Sequence, residues 1–151
     1  MGWDNKIPCK EIFDEIFRVS KNQIIWGGNY FVEYLKPSMG WLVWDKGQDL
    51  NQSDGELAFT SFQKALKRKV INRVELLKDG SKHPTQKPVR LIKWCLSFSG
   101  ETNIVFDPFL GSGTTAVACK ELNRNYIGIE INQEYCDIAQ KRIDNTQGSL
   151  F

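Results

Sequence analysis

Gly111-Ser112-Gly113-Thr114-Thr115-Ala116 matches the pattern G-x-G-x-x-G/A and follows directly on the apolar run Ile104-Val105-Phe106 and the break Asp107-Pro108. Two glycines at this spacing let the backbone take tight or positive-φ conformations and let a ligand approach closely. Thr114 or Thr115 is placed to cap the following helix, whose free N–H groups would point back at the loop. A strand, a glycine loop and a helix N-terminus together make a nucleotide or cofactor site. Glu130 stands at the end of the next apolar run, where a carboxylate can accept hydrogen bonds from ribose hydroxyls. The loop alone suits NAD, FAD and S-adenosylmethionine alike. A phosphate-cradling P-loop is disfavoured, because no Lys-Ser/Thr follows the glycines. The plainer readings are a tight turn without a ligand and, for Glu130, a solvent-facing acid.

The elements that must position this loop are legible around it. A helix starts at Pro88, with Leu91, Ile92, Cys95 and Leu96 on its buried stripe and Gly100 past its end. The stretch 104–107 is a buried strand, 114–122 a helix, and 125–131 a second strand. A last helix carries Tyr135, Ile138, Ala139 and Ile143 on one side, and 145–151 reads as a frayed tail. Helix, strand, helix, strand, helix implies a parallel sheet with right-handed crossovers.

The first half has a different texture. Residues 8–19 read as an amphipathic helix with Pro8 in its first turn and Cys9, Ile12, Phe13, Ile16 and Phe17 as one apolar stripe. Gln23 to Trp26 and Trp41 to Trp44 are strand patterns. Glu56 to Phe62 is a third, positioned to pair antiparallel with the second across the Asp54-Gly55 turn.

From Lys64 to Lys82 the chain is basic. Lys64, Lys67, Arg68, Lys69, Arg73, Lys78 and Lys82 face only Glu75 and Asp79, and Val70 to Leu77 is read as a short strand within the segment. A solvated surface loop is one reading, and a phosphate-contacting patch for nucleic acid is the other.

Composition sets the outer limits. The chain has 151 residues, 41% hydrophobic and 25% charged, with a formal net charge of +2. That length fits one domain able to bury a core, and any nucleic-acid footprint must be local. No apolar run approaches the roughly 20 residues of a membrane span. The first ten residues have no apolar core, so no signal peptide is expected and a cytoplasmic location is the default. Cys9, Cys95, Cys119 and Cys136 are widely spaced and His83 is the only histidine, which favours reduced core thiols over a metal site.

Taken together, the motifs resemble those of the DNA amino-methyltransferases, which methylate adenine N6 or cytosine N4. Asp107-Pro-Phe-Leu-Gly-Ser-Gly-Thr-Thr115 resembles the family's S-adenosylmethionine loop, and His83-Pro-Thr-Gln-Lys-Pro88 a second signature just before it. Asn22-Gln-Ile-Ile-Trp-Gly-Gly-Asn29 and Trp41-Leu-Val-Trp-Asp-Lys46 are similar to further family segments. The resemblance runs from about Ile7 to Ile143. It implies that Asp107, Phe109, Gly111 and Gly113 wrap the methionine part of the cofactor, with Thr114 a further cofactor-binding residue. Glu130 would grip the ribose, and Thr85, Gln86 and Lys87 would line the methionine end from the other side. The motif order is that of the circularly permuted group. The basic insert at about 63–82 then falls at the target-recognition region, with Lys64, Lys67, Arg68, Lys69 and Arg73 as DNA contacts. The implied partner is double-stranded DNA, with adenine N6 ranked ahead of cytosine N4.

One family element has no counterpart. The catalytic Asp-Pro-Pro-Tyr is expected on a strand before the first helix, yet the sequence holds no Pro-Pro pair. No catalytic residue is therefore assigned. The exocyclic amine is a poor nucleophile, and the family activates it with acceptors from that motif on a flipped-out base. The expected fold is α/β, a Rossmann-like methyltransferase sheet with helices on both faces that lacks a central strand and leaves unpaired inner edges. An N-terminally truncated enzyme, a non-catalytic cofactor- or DNA-binding remnant, and a chain completed by a second copy or another polypeptide are the readings that follow.

Overall fold

A computed structural model describes residues 8–47, 53–72, 86–101 and 104–148. The chain divides into two units, Met1–Asn72 and Arg73–Phe151.

In the first unit, helix α1 spans Lys10–Val19 and buries Phe13. Phe13 packs against Phe31 and Tyr34 at centroid distances of 5.1 and 5.2 Å. Burying such a ring contributes roughly 1.5–3 kcal/mol. The helix starts later than its sequence suggests. Cys9 is the extended residue before it, is exposed and takes no part in the stripe, and Pro8 lies outside the first turn. Strands β1 (Ile24–Trp26), β2 (Leu42–Asp45), β3 (Gly55–Thr60) and β4 (Lys67–Val70) form one sheet in the order β1-β3-β2-β4. As expected, β2 and β3 are antiparallel, with Leu42 opposite Ala58 and Trp44 opposite Glu56. Leu42, Trp44, Ala58, Phe59, Phe62 and Ile71 are buried. The Trp44 indole N–H donates to Ile71 O (3.1 Å), so the ring is buried with its polar edge satisfied.

The basic segment departs from its sequence reading. Its strand is Lys67–Val70, not one beginning at Val70, and it pairs parallel to β2 with Leu42 opposite Lys67 and Asp45 opposite Val70. All four residues are exposed. Backbone pairing at the sheet edge, without apolar burial, holds a run that composition marks as a loop. Residues 73–77 lie outside the described residues.

The second unit contains α2 (Val89–Leu96), β5 (Ile104–Asp107), α3 (Thr114–Glu121), β6 (Asn125–Gly128) and α4 (Gln133–Asp144). Strands β5 and β6 are parallel, with Ile104 opposite Asn125 and Phe106 opposite Ile127. The alternating helices and strands anticipate this pairing. Ile92 and Leu96 of α2 form one apolar cluster with Ala118 and Cys119 of α3, and Val105 and Tyr126 pack on it from the strands. The opposite face of the two strands presents Ile104, Phe106 and Ile127, all exposed. The described strands thus form two separate sheets, of four and two strands. Burial pushes the Cys95 thiol up to about 12 and that of Cys119 to about 11, which suits their reading as core thiols. No described helix is long and apolar enough to cross a membrane.

Candidate functional site

The glycine loop joins the C-terminal end of β5 to α3. Asp107 opens it: its Oδ1 accepts from the Phe109 N–H (3.0 Å), turning the chain sharply off the strand. The Leu110 N–H donates to Ile129 O and the Ile129 N–H to Asp107 O, both at 2.9 Å, so the loop is sewn to the chain leaving β6. The Gly113 N–H then closes a turn onto Leu110 O (3.0 Å).

Glu130 completes the loop. Its Oε2 accepts from the Gly111 N–H (2.9 Å) and its Oε1 from the Asn132 N–H (2.8 Å). A carboxylate oxygen has two lone pairs, so each keeps an acceptor position for a hydroxyl. Glu130 is therefore a loop brace by geometry, with capacity left for a ligand.

The two glycines differ. Gly111 has φ +54°, and a Cβ there would meet only Phe109 O, at 4.0 Å. Its flank is open, as a backbone that receives a ligand must be. Gly113 has φ +83°, and a Cβ there would lie 2.7 Å from Ala139 Cβ and 3.0 Å from Ala139 Cα. This glycine lets α4 close on the N-terminus of α3. Gly113 also holds the N-cap position, which corrects the expectation of a threonine cap. Thr114 and Thr115 are the first helical residues, and no side chain caps the helix. The N-terminal N–H groups of α3 thus have no side-chain acceptor at the cap.

The structure brings Gln86 into the same arrangement. With its amide oxygen turned inward, Gln86 accepts from Arg142 Nη2 (2.9 Å) and Nη1 (3.2 Å). Arg142 Nη1 also donates to Ser112 O (2.6 Å), Ser112 Oγ (3.0 Å) and Thr114 Oγ1 (3.2 Å). Burial lowers the Arg142 pKa. Thr114 is buried and Phe109 is exposed. Lys87 lies close enough to Cys95 to act on its thiol electrostatically. Thr85 lies outside the described residues. Arg142 carries no motif signal in the sequence, and Ser112 is marked only as the variable position between the two glycines. Only the contact between distant segments shows them.

The basic residues Lys64, Lys67, Arg68 and Lys69 lie in the first unit. Lys67 and Lys69 project from one face of β4 and Arg68 from the other, as strand alternation requires. Arg68 Nη1 pairs with Asp45 Oδ2 at 3.1 Å. The Lys64 ammonium lies 5.9 Å from the Phe62 ring centre. Arg73 lies outside the described residues. Among the described residues no cluster of His, Cys, Asp and Glu could hold a metal ion.

The N6_N4_Mtase family, described as DNA methylase, matches the sequence over residues 4–141. The chain belongs to this DNA methylase family. Among curated relatives, the type II methyltransferase M2.DpnII of Streptococcus pneumoniae is 33% identical over 143 residues, 94% of this chain and 49% of that protein. The type II methyltransferase M.HpaI of Haemophilus parainfluenzae is 51% identical over 69 residues, 45% of this chain and 22% of that protein. The chain thus spans about half, or less, of these relatives' length. The crystal structure of an M1.HpyAVI–SAM complex superposes with a TM-score of 0.70 at 27% identity, covering 90% of this chain and 83% of that one. TTHA0409 of Thermus thermophilus has the same fold, with a TM-score of 0.65 at 15% identity over 91% of this chain and 75% of that one. These matches identify the α/β fold of this chain as that of the S-adenosylmethionine-dependent DNA methyltransferases.

Proposed function

We propose that this chain binds S-adenosylmethionine at the loop 107–113 and serves the methylation of an exocyclic amine in double-stranded DNA. The observation that carries the reading is the braced loop itself: Glu130 fixes Gly111 from one side while the other flank of Gly111 stays open. Asp107, Phe109, Gly111, Gly113 and Thr114 form the loop wall, Glu130 takes the ribose hydroxyls, and Gln86 and Lys87 form the facing wall; Thr85 is assigned to the methionine end by its sequence motif alone. The cofactor, when bound, supplies an electrophilic methyl group on sulfonium sulfur. The residues of this chain would hold it, with the loop around its methionine part and Glu130 at its ribose. Adenine N6 is the preferred target over cytosine N4, in a restriction-modification setting and a cytoplasmic location. Residues 1–151 act as a single methyltransferase domain, with the basic insert at about 63–82 as the target-recognition element. Lys64, Lys67, Arg68, Lys69 and Arg73 contact DNA phosphates there.

A second reading is a non-catalytic cofactor- or DNA-binding module, acting as a remnant or as a subunit of a larger methyltransferase. The absence of any Pro-Pro pair from the sequence favours it, because the family's amine-activating acceptors then have no counterpart. A second copy or another chain would supply the missing strand.

Two measurements separate the readings. Calorimetric titration with S-adenosylmethionine should show binding by the purified chain, and no heat from an intact fold would overturn the cofactor assignment. Transfer of tritiated methyl groups to unmodified DNA should be negligible for the chain alone under the second reading, and robust incorporation would refute that reading.

A further inference from the structure

We propose that Arg142 is a positioning residue that ties the two walls of the cofactor site into one rigid frame. The inference rests on the cofactor reading above and adds to it a residue that no sequence motif marks. Arg142 stands in the last turn of α4, where the helix dipole favours a cation. One guanidinium reaches Ser112 and Thr114 of the loop and, across from them, Gln86 of the facing wall. Among the described residues all these acceptors are neutral oxygens. A half-buried cation without a carboxylate is costly, and an apolar side chain would fill the space more cheaply. What the guanidinium adds is its planar fork, which can hold two separate segments at a fixed spacing.

The anchor beneath it is rigid. Gly113 lets α4 close on the start of α3 at Ala139, and Ala139 lies one helical turn from Arg142. The loop, the Gln86 segment and α4 therefore share one junction. Cofactor affinity depends on the spacing between the walls, and Arg142 sets that spacing without touching the cofactor.

The test compares Arg142→Met, Arg142→Lys and Gln86→Ala in the full chain. In hydrogen exchange without cofactor, Arg142→Met should deprotect residues 111–114 and the segment just after Gln86 together. Arg142→Lys keeps a charge that reaches Ser112 but cannot span to Gln86. It should restore protection at the loop and leave the Gln86 segment loose. In calorimetry, Arg142→Met should weaken S-adenosylmethionine binding about ten-fold or more, and adding Gln86→Ala should weaken it little further. Deprotection confined to α4, or losses from the two substitutions that simply multiply, would overturn the proposal. Failure of the unmutated chain to bind S-adenosylmethionine would remove the cofactor reading, while the exchange pattern would still decide whether Arg142 ties the walls. If Arg142→Met does not fold, the Arg142→Lys pattern decides the question alone.

Discussion

Gly113→Ala and Gly111→Ala form a matched pair that tests how the loop is built. Both sites have positive φ, +83° and +54°. Alanine in a left-handed conformation costs roughly 1–2 kcal/mol. It recovers about 0.4–1 kcal/mol by restricting the unfolded chain. Those two contributions are nearly common to both sites. The difference lies in the surroundings. At residue 113 the new methyl would meet Ala139 Cβ at 2.7 Å and backbone at 3.0 Å, whereas at residue 111 the nearest atom is 4.0 Å away. Forcing a methyl into packed surroundings costs about 1–3 kcal/mol. Gly111→Ala should therefore cost about 1 kcal/mol or less, and Gly113→Ala about 2–4 kcal/mol. The assay is urea denaturation followed by circular dichroism, where the gap should appear as a midpoint difference of roughly 1 M. Calorimetry should show the reverse order for S-adenosylmethionine: Gly111→Ala fills the open flank and should weaken binding more than its effect on stability suggests. Equal destabilisation at the two sites would refute the packing argument for Gly113.

Three further outcomes follow from the same geometry. Asn132→Ala removes the α4 cap, whose side chain accepts from the Glu134 and Tyr135 N–H groups at 2.9 and 3.3 Å; it should cost about 1 kcal/mol in thermal or urea unfolding. The folded thiols of Cys95 and Cys119 keep their protons to about 12 and about 11, while the unfolded chain loses them near 9.0. The folded state binds more protons across that window, so stability should fall as pH rises from roughly 9 towards 11, and Cys95→Ala should reduce that slope. If the chain binds DNA, Lys67→Ala and Lys69→Ala should each lower the salt slope of log K by about 0.9. Arg68→Ala should change the slope less, because Asp45 already pairs with Arg68.

The second unit is the more legible in sequence. The stripe Leu91, Ile92, Cys95 and Leu96 is buried as its spacing requires, and β5 and β6 pair parallel as the alternation of elements implies. Asp107, Gly111, Gly113 and Glu130 do converge on one loop. What the sequence conceals depends on contacts between distant segments. Thr114 reads as a cap because its type suits one, but Gly113 occupies the cap position so that Ala139 can approach. The β4 strand is hidden because Lys67, Arg68 and Lys69 carry no apolar alternation, and only a neighbouring backbone makes them a strand. Arg142 reads as a polar residue on a helix, since its acceptors lie 28 residues or more back in the chain.

The bare face of the two-stranded sheet has a practical consequence for handling the protein. Ile104, Phe106, Ile127 and Ile129 are 56%, 39%, 53% and 48% exposed. Contiguous apolar surface makes a protein sticky, binding hydrophobic dyes and scattering light as it is concentrated or warmed. Ile104→Thr with Ile127→Lys should raise the concentration at which scattering sets in. Because both side chains already meet water, the melting temperature should scarcely change. Solubility and fold stability, which usually fall together when a core is damaged, should here come apart.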